Sequence, residues 1–289
     1  MKSRFLRDND VVRSLWFKVS PTMRYRLRRL FFFPLDTWER IAGKTHHYVP
    51  PRGSVFTGGS AGATGFIAFG NQQVALLKKH SALKPNHRVL DIGCGVGRTA
   101  IGLTEFLDKS GSYDGFDVVE KGIEWCQNGI GNDFSYFNFT HVPLFNDLYR
   151  KSGSNAASFS FPYQDNSFDT LFSFSVFTHM GIPEIQNYLH EMNRTRKKDV
   201  VCFSTFFLYN DGNETFIASK SGFNFPIKKD GYRLMSDTTV SGNIAIHESL
   251  LDSMIKIAGF EKVKIIHGFW KDEVQDSSKE EYQDIVIFK

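Results

Sequence analysis

VLDIGCGVGR, residues 89–98, decides the reading of this chain, because it joins a short apolar run, an acidic residue and three alternating glycines. Val89, Leu90 and Ile92 suit a buried strand of a parallel sheet. Gly93, Gly95 and Gly97 let the chain turn sharply and bring its backbone close to a ligand without interference from a Cβ. Residues 99–107 then read as a helix, so the stretch predicts the strand–turn–helix start of a nucleotide-type cofactor site.

The spacing narrows the ligand. A dinucleotide fingerprint needs G-x-G-x-x-G and a phosphate loop ends in Gly-Lys-Ser/Thr; neither pattern is present. Arg98 stands where the third dinucleotide glycine belongs, and Asp91, two residues before Gly93, would repel a pyrophosphate but suits a cationic ligand. On these residues the segment resembles motif I of the class I S-adenosylmethionine-dependent methyltransferases, whose cofactor carries an ammonium and a sulfonium and no phosphate. The resemblance implies that Asp91, Gly93, Cys94, Gly95, Gly97 and Arg98 bind S-adenosylmethionine, released as S-adenosylhomocysteine. It implies no metal.

At 289 residues, with 41% hydrophobic and 15% aromatic residues, the chain has enough apolar content for a large core. Its three cysteines, Cys94, Cys126 and Cys202, are odd in number and widely spaced, which fits a reducing compartment and no zinc site. The longest apolar runs are too short to span a bilayer, and the basic amino-terminal stretch lacks a signal-peptide hydrophobic region and cleavage site. The expectation is a cytoplasmic protein.

The net charge of +4 is unevenly placed, with Arg24, Arg26, Arg28 and Arg29 among the basic residues crowded near the start. Val11, Val12, Leu15, Trp16 and Val19 recur at helical spacing, and Ser20-Pro21 suits the cap and first turn of a second helix carrying Met23, Leu27, Leu30 and Phe31. Both helices read as basic and amphipathic. Such helices can lie on an anionic membrane surface or bind an acidic partner. The commoner outcome, and the one favoured here, is a helical pair that packs its apolar stripe on the main domain and leaves its arginines in water.

From residue 50 onward helices and strands alternate. Helices are expected at 66–83, 99–107, 121–130, 183–194 and 248–258, and strands at 88–92, 113–118, 137–141, 168–175, 200–206, 262–267 and 284–288. Alternation implies a parallel sheet covered on both faces. The last two strands lack a helix between them and should pair as an antiparallel hairpin at one edge, as in the class I methyltransferase fold. The fold class is therefore α/β, a Rossmann-like seven-stranded and mostly parallel sheet. A basic helical extension, 1–48, precedes a methyltransferase domain, 49–289, with a substrate-side insertion at about 210–246.

In open α/β sheets the ligand lies beyond the carboxyl ends of the strands. Asp117 closes the second strand in GFDVVEKGIEWC, where an acid accepts hydrogen bonds from the two ribose hydroxyls of the cofactor. After the third strand many relatives carry an acid for the adenine amino group; here Thr140-His141-Val142-Pro143 stands instead. Asn146 and Asp147 follow, and spacing leaves the adenine partner open. After the fourth strand, in FPYQDNSFDTLFSFSVFTHM, His179 should project near the reactive methyl, with an ordinary pKa near 6.5 that suits proton removal. A helix cap or structural histidine is the alternative. Asp165 and Glu248 stand behind it as candidate bases.

The resemblance narrows further. Pro50-Pro51-Arg52, Phe69-Gly70, motif I, GFDVVEKGIEWC, SFSFPYQDNSFD, SVFTHM, AGF, GFW and YQDIV follow in the order of a group of bacterial-type methyltransferases associated with glycan biosynthesis. It adds Gly70, Val118 and Phe174 to the implied cofactor-binding residues. It implies O-methylation of a sugar or glycan hydroxyl by direct in-line transfer. The usual Pro-Gly-Gly turn before the fifth strand is replaced by RTRKKD, outside the expected site. A small-molecule acceptor, or a module that binds the cofactor without turnover, stays open. The missing Asn/Asp-Pro-Pro-Tyr/Phe signature, replaced by Ser175-Val176-Phe177-Thr178, argues against a nucleic-acid acceptor.

Overall fold

The computed structural model describes residues 19–55, 62–146, 148, 152–237 and 239–289. Two compact units divide them: one takes in the described residues up to Pro143, the other is Leu144–Lys289. The expected first helix with Val11, Val12, Leu15 and Trp16, and Asp147, lie outside the described residues.

The first unit begins with α1 (Pro21–Ile41), started by Pro21 and by the Ser20 hydroxyl, which accepts the Met23 N–H at 3.3 Å. A 3-10 turn (Arg52–Ser54) leads to α2 (Ala63–His80), β1 (Arg88–Ile92), α3 (Arg98–Thr104), β2 (Ser112–Asp117), α4 (Glu120–Cys126) and β3 (Phe137–His141). β1 pairs with β2 in parallel, Arg88 beside Ser112, and β2 with β3, Tyr113 beside Phe137. The helix expected at 121–130 ends as a π turn, Gln127–Gly131, which contains two glycines that weaken regular helix.

The second unit holds β4 (Thr170–Ser173), α5 (Ile182–Thr195), β5 (Cys202–Phe206), β6 (Leu208–Tyr209), α6 (Glu214–Ser219), β7 (Ile227–Lys228), β8 (Tyr232–Leu234), β9 (Ile244–His247), α7 (Glu248–Ile257), β10 (Lys262–Ile266) and β11 (Asp284–Phe288). The seven-stranded sheet runs β10-β11-β5-β4-β1-β2-β3, parallel in its β4–β5 and β1–β2–β3 pairings. β11 is antiparallel to both β10 and β5, so the expected hairpin forms with β10 at the edge. All residues of β4, β5 and β11 are buried, which is why these segments are nearly continuous apolar runs rather than alternating ones.

Around the insertion at 210–246, β6-β9-β8-β7 form a second sheet over an aromatic cluster of Phe207, Tyr209, Phe225 and Trp270. One expectation is corrected here. The helix α1 does not turn its apolar stripe inward. Leu30, Phe31, Phe33, Trp38 and Ile41 are exposed, whereas Arg24 is buried. The reason is a polar anchor. Asp36 accepts the Arg52 and Gly53 N–H groups at 2.8 and 3.0 Å, and Glu39 takes the Arg52 guanidinium through two bonds at 2.9 and 2.6 Å. These acids fix the inward face.

The turn that replaces Pro-Gly-Gly closes with Asp199 in the left-handed region at φ 63°. Arg194 from that segment donates to Glu191 and Asp165, so the substitution exchanges a flexible turn for charged anchors.

α2 and α3 cross at closest approach on glycine. A Cβ on Gly70 would overlap the Arg98 carbonyl oxygen, and one on Gly102 would lie 2.9 Å from both Asn71 Oδ1 and Val74 Cγ2. Backbone cannot rotate away as a side chain can, so overpacking should outweigh the gain of about 1 kcal/mol that alanine brings to a helix interior. Gly70→Ala is expected to lower stability by about 2 kcal/mol, read from the urea unfolding midpoint; an unchanged midpoint would show that the helices separate freely.

Candidate functional site

The glycine loop after β1 has the form its sequence requires. Gly93, Gly95 and Gly97 all take positive φ, at 77°, 60° and 80°, a region that costs other residues strain. The Gly93 and Cys94 N–H groups both donate to the Phe116 carbonyl, at 2.9 and 3.0 Å, which pins the loop across the carboxyl end of β2. A Cβ at Gly97 would stand 2.9 Å from Cys126 Sγ.

Asp117 is the hub of the loop. One carboxylate oxygen accepts the Gly95 N–H at 2.9 Å, the other the Val119 N–H at 2.8 Å. Burial raises its pKa from the ordinary value, opposed by its bonds to Val119, Gly95 and Val118. Each carboxylate oxygen retains a further lone pair for a ligand hydroxyl. Beside it in register stands His141, at the end of β3, whose buried Nε2 has no hydrogen-bond partner among the described residues. Sequence reasoning passed over His141; its signal was its place at the strand end level with Asp117.

Asp91 is buried and accepts the Tyr113 hydroxyl at 2.8 Å. Burial is the main cause that pushes its pKa up to about 7; the Asp117 charge adds to this and the Tyr113 bond opposes it. The unfolded carboxyl releases its proton near 3.8, so between these values the folded state holds more protons and stability falls as pH rises. Between about pH 5 and pH 8 the wild type should therefore lose roughly 2–3 kcal/mol that Asp91→Asn does not lose, in paired urea titrations. Equal losses in both proteins would mean that Asp91 ionises normally.

The remaining residues of this unit take other positions. Arg98 lies against the rings of Phe66 and Phe69, its guanidinium carbon 4.9 and 5.1 Å from their centroids. Gly70 faces the Arg98 carbonyl, so packing accounts for it. Cys94 is buried, with its thiol pKa held well above the ordinary value by desolvation first. Val118 follows directly on Asp117 at the end of β2.

In the second unit, β4 ends early because Ser175 turns into the left-handed region at φ 60°. Phe174 lies between Phe172 and Phe203, with ring centroids 5.7 and 4.9 Å away. His179 closes the turn Phe177–His179, with Nδ1 2.9 Å from the Ser241 carbonyl. A carbonyl only accepts, so Nδ1 carries the proton and Nε2 is the basic nitrogen. Desolvation lowers the His179 pKa below 6.5, against the opposing bonds to the Ser241 and Gly242 backbone. Asn146 donates to the His179 carbonyl at 3.1 Å, which gives that residue a structural role beside the turn.

Around Ser175 the strand ends bring together a polar chain that the sequence did not disclose. The Ser175 N–H donates to Thr205 Oγ1 at 2.7 Å, Thr205 donates to Gln283 Oε1 at 2.6 Å, and Gln283 Nε2 donates back to Ser175 Oγ at 2.8 Å. Of the other candidate bases, Asp165 is removed: it precedes β4 at the amino end and is held 2.7 Å from Arg194. Glu248 opens α7 and accepts the Asn210 amide at 3.2 Å.

Residues 90–204 match the family described as a methyltransferase domain. It is this stretch of the chain that resembles the methyltransferases. The positive-φ glycine cradle, Asp117 and the His141 nitrogen that has no hydrogen-bond partner among the described residues fit S-adenosylmethionine, the cofactor that the sequence implies. Among solved structures, this chain is similar to the CcbJ methyltransferase from Streptomyces caelestis, at 14% identity over 76% of this chain and 88% of that one, with TM-score 0.49. It is also similar to 1,6-didemethyltoxoflavin-N1-methyltransferase from Burkholderia thailandensis, solved with S-adenosylhomocysteine, at 16% identity over 77% and 76%, TM-score 0.47. A third is the [4+2]-cyclase SpnF, at 19% identity over 68% of this chain, TM-score 0.47; the chain spans 59% of that protein's length.

Proposed function

We propose that this protein transfers the methyl group of S-adenosylmethionine to a hydroxyl oxygen of a sugar or glycan acceptor, in the cytoplasm. The observation that carries the reading is the His179 hydrogen bond to the Ser241 carbonyl, which fixes the tautomer that leaves Nε2 basic. When bound, S-adenosylmethionine supplies an electrophilic methyl on a sulfonium. Asp117 would accept hydrogen bonds from the ribose hydroxyls, while the Gly93–Gly97 turn would let the backbone approach the cofactor. His179 would take the acceptor's hydroxyl proton at Nε2 as the acceptor oxygen takes up the methyl group. A hydroxyl is a poor nucleophile at pH 7, so this proton transfer is what the protein must add to alignment. Ser175, Thr205 and Gln283 offer donors and acceptors that suit a polyhydroxylated acceptor, as do the asparagine and serine side chains of the 210–246 region.

The test is methyl transfer from isotopically labelled S-adenosylmethionine to a panel of mono- and oligosaccharides, small phenols, amines and RNA, with the methylated atom located by mass spectrometry and NMR. A methyl ether on a sugar is the expected product. Transfer to nitrogen, or cofactor binding without transfer to any member of the panel, would overturn the reading.

A further inference from the structure

We propose that α1 is a docking helix for an anionic lipid surface, with its apolar stripe in the interface and its flanking arginines on the headgroup phosphates. This goes beyond the methyl-transfer reading and does not depend on it. Met23, Leu27, Leu30, Phe31, Trp38 and Ile41 recur at spacings of three and four, so they fall on one side of the helix. Leu30 is 73% exposed, Ile41 80% and Phe33, at the stripe's edge, 65%. The opposite side carries Asp36 and Glu39, both committed to Arg52 and Gly53. The helix is thus anchored by its acids and shows its apolar side outward, the reverse of an ordinary surface helix.

Charge selects the occupant. Arg26, Arg29 and Arg40 are exposed along one flank, and Lys44 follows the helix with its ammonium 4.4 Å from the Trp38 ring centroid. With both acids of the helix turned inward, the exposed rim of the stripe is basic. A second copy docked on this stripe would bring its own arginines to the same rim, and like charges there repel. An anionic bilayer supplies the opposite charge over the whole length of the helix, about 31 Å. Beside this flank lies a cavity of about 600 Å³ lined by Arg29, Leu30, Arg40 and Lys44 and also by Asp36 and Glu39, whose carboxylates are taken up by Arg52 and the Gly53 N–H. No helix among the described residues is long and apolar enough to cross a membrane, so the contact is one of lying on the surface.

The full-length protein should co-sediment with vesicles of phosphatidylcholine containing about a third phosphatidylglycerol and not with phosphatidylcholine alone, and the binding should weaken as salt rises. Leu30→Glu combined with Ile41→Glu should lower vesicle affinity more than tenfold, and Arg26→Gln, Arg29→Gln and Arg40→Gln by about fivefold each. Both side chains of the double variant are exposed, so its circular dichroism and its binding of S-adenosylmethionine should match the wild type. The proposal fails if the wild type ignores anionic vesicles, if it binds neutral ones equally well, or if the double variant binds as tightly. It also fails if the wild type forms a dimer in sedimentation equilibrium that Leu30→Glu dissolves, since the stripe would then belong to a second copy.

Discussion

Asp117→Ala should weaken S-adenosylmethionine binding by roughly 10²- to 10³-fold, the loss of two hydrogen bonds to a charged acceptor at about 1.5–3 kcal/mol each, partly compensated by water. The variant also leaves the Gly95 and Val119 N–H groups without their acceptor, so the loop that presents the glycines loosens together with the ribose contact. These two effects separate in Asp117→Asn. Its amide keeps one acceptor oxygen but turns an NH₂ toward one of the two N–H donors, so it should bind cofactor poorly even though its volume is unchanged. Isothermal titration with S-adenosylhomocysteine reads the affinity, and a melting curve reads the fold. Wild-type affinity in the alanine variant would move the ribose contact elsewhere.

Asp117 and the three glycines are readable in the sequence because each does a job that few residue types can do. Positive φ at three alternating positions favours glycine strongly, and an acid at the end of a strand needs only the strand to be placed. The seven strands are likewise legible, though not their order, since buried parallel strands carry unbroken apolar runs and alternate with amphipathic helices. What the sequence hides has physical causes. The strands of the second sheet are two to four residues long, too short for a period to be recognised. Ser175, Thr205 and Gln283 meet only because β11 enters beside β5, a pairing that no local pattern encodes.

Asp165 and α1 show how a correct local reading can still mislead. Asp165 is close in sequence to β4, yet strand polarity puts it at the amino end, where Arg194 holds it. For α1 the periodicity gives a helix with an apolar stripe but carries no information on which side faces the protein. That choice is made by Asp36 and Glu39 meeting Arg52, a contact across a turn of chain that hydropathy does not register.

His179→Ala should cut turnover by about 10²-fold or more while cofactor affinity stays near the wild-type value, the usual scale for a lost general base. The pH profile distinguishes this from a structural role. Desolvation lowers the His179 pKa below 6.5, so the neutral base persists to lower pH than a solvated imidazole would allow. Wild-type kcat should therefore be full at pH 7 and fall only on the acid side, with its limb below 6.5. In the alanine variant that limb should disappear, and the residual rate should rise toward alkaline pH as the solvent takes over the proton. Asn146→Ala tests the turn separately, because the Asn146 amide donates to the His179 backbone carbonyl. It should lower turnover through disorder of the turn yet keep the acid limb, since the imidazole still titrates. If the alanine variant at His179 keeps both the wild-type rate and the limb, the proton leaves by another route and the hydroxyl-directed reading loses its base.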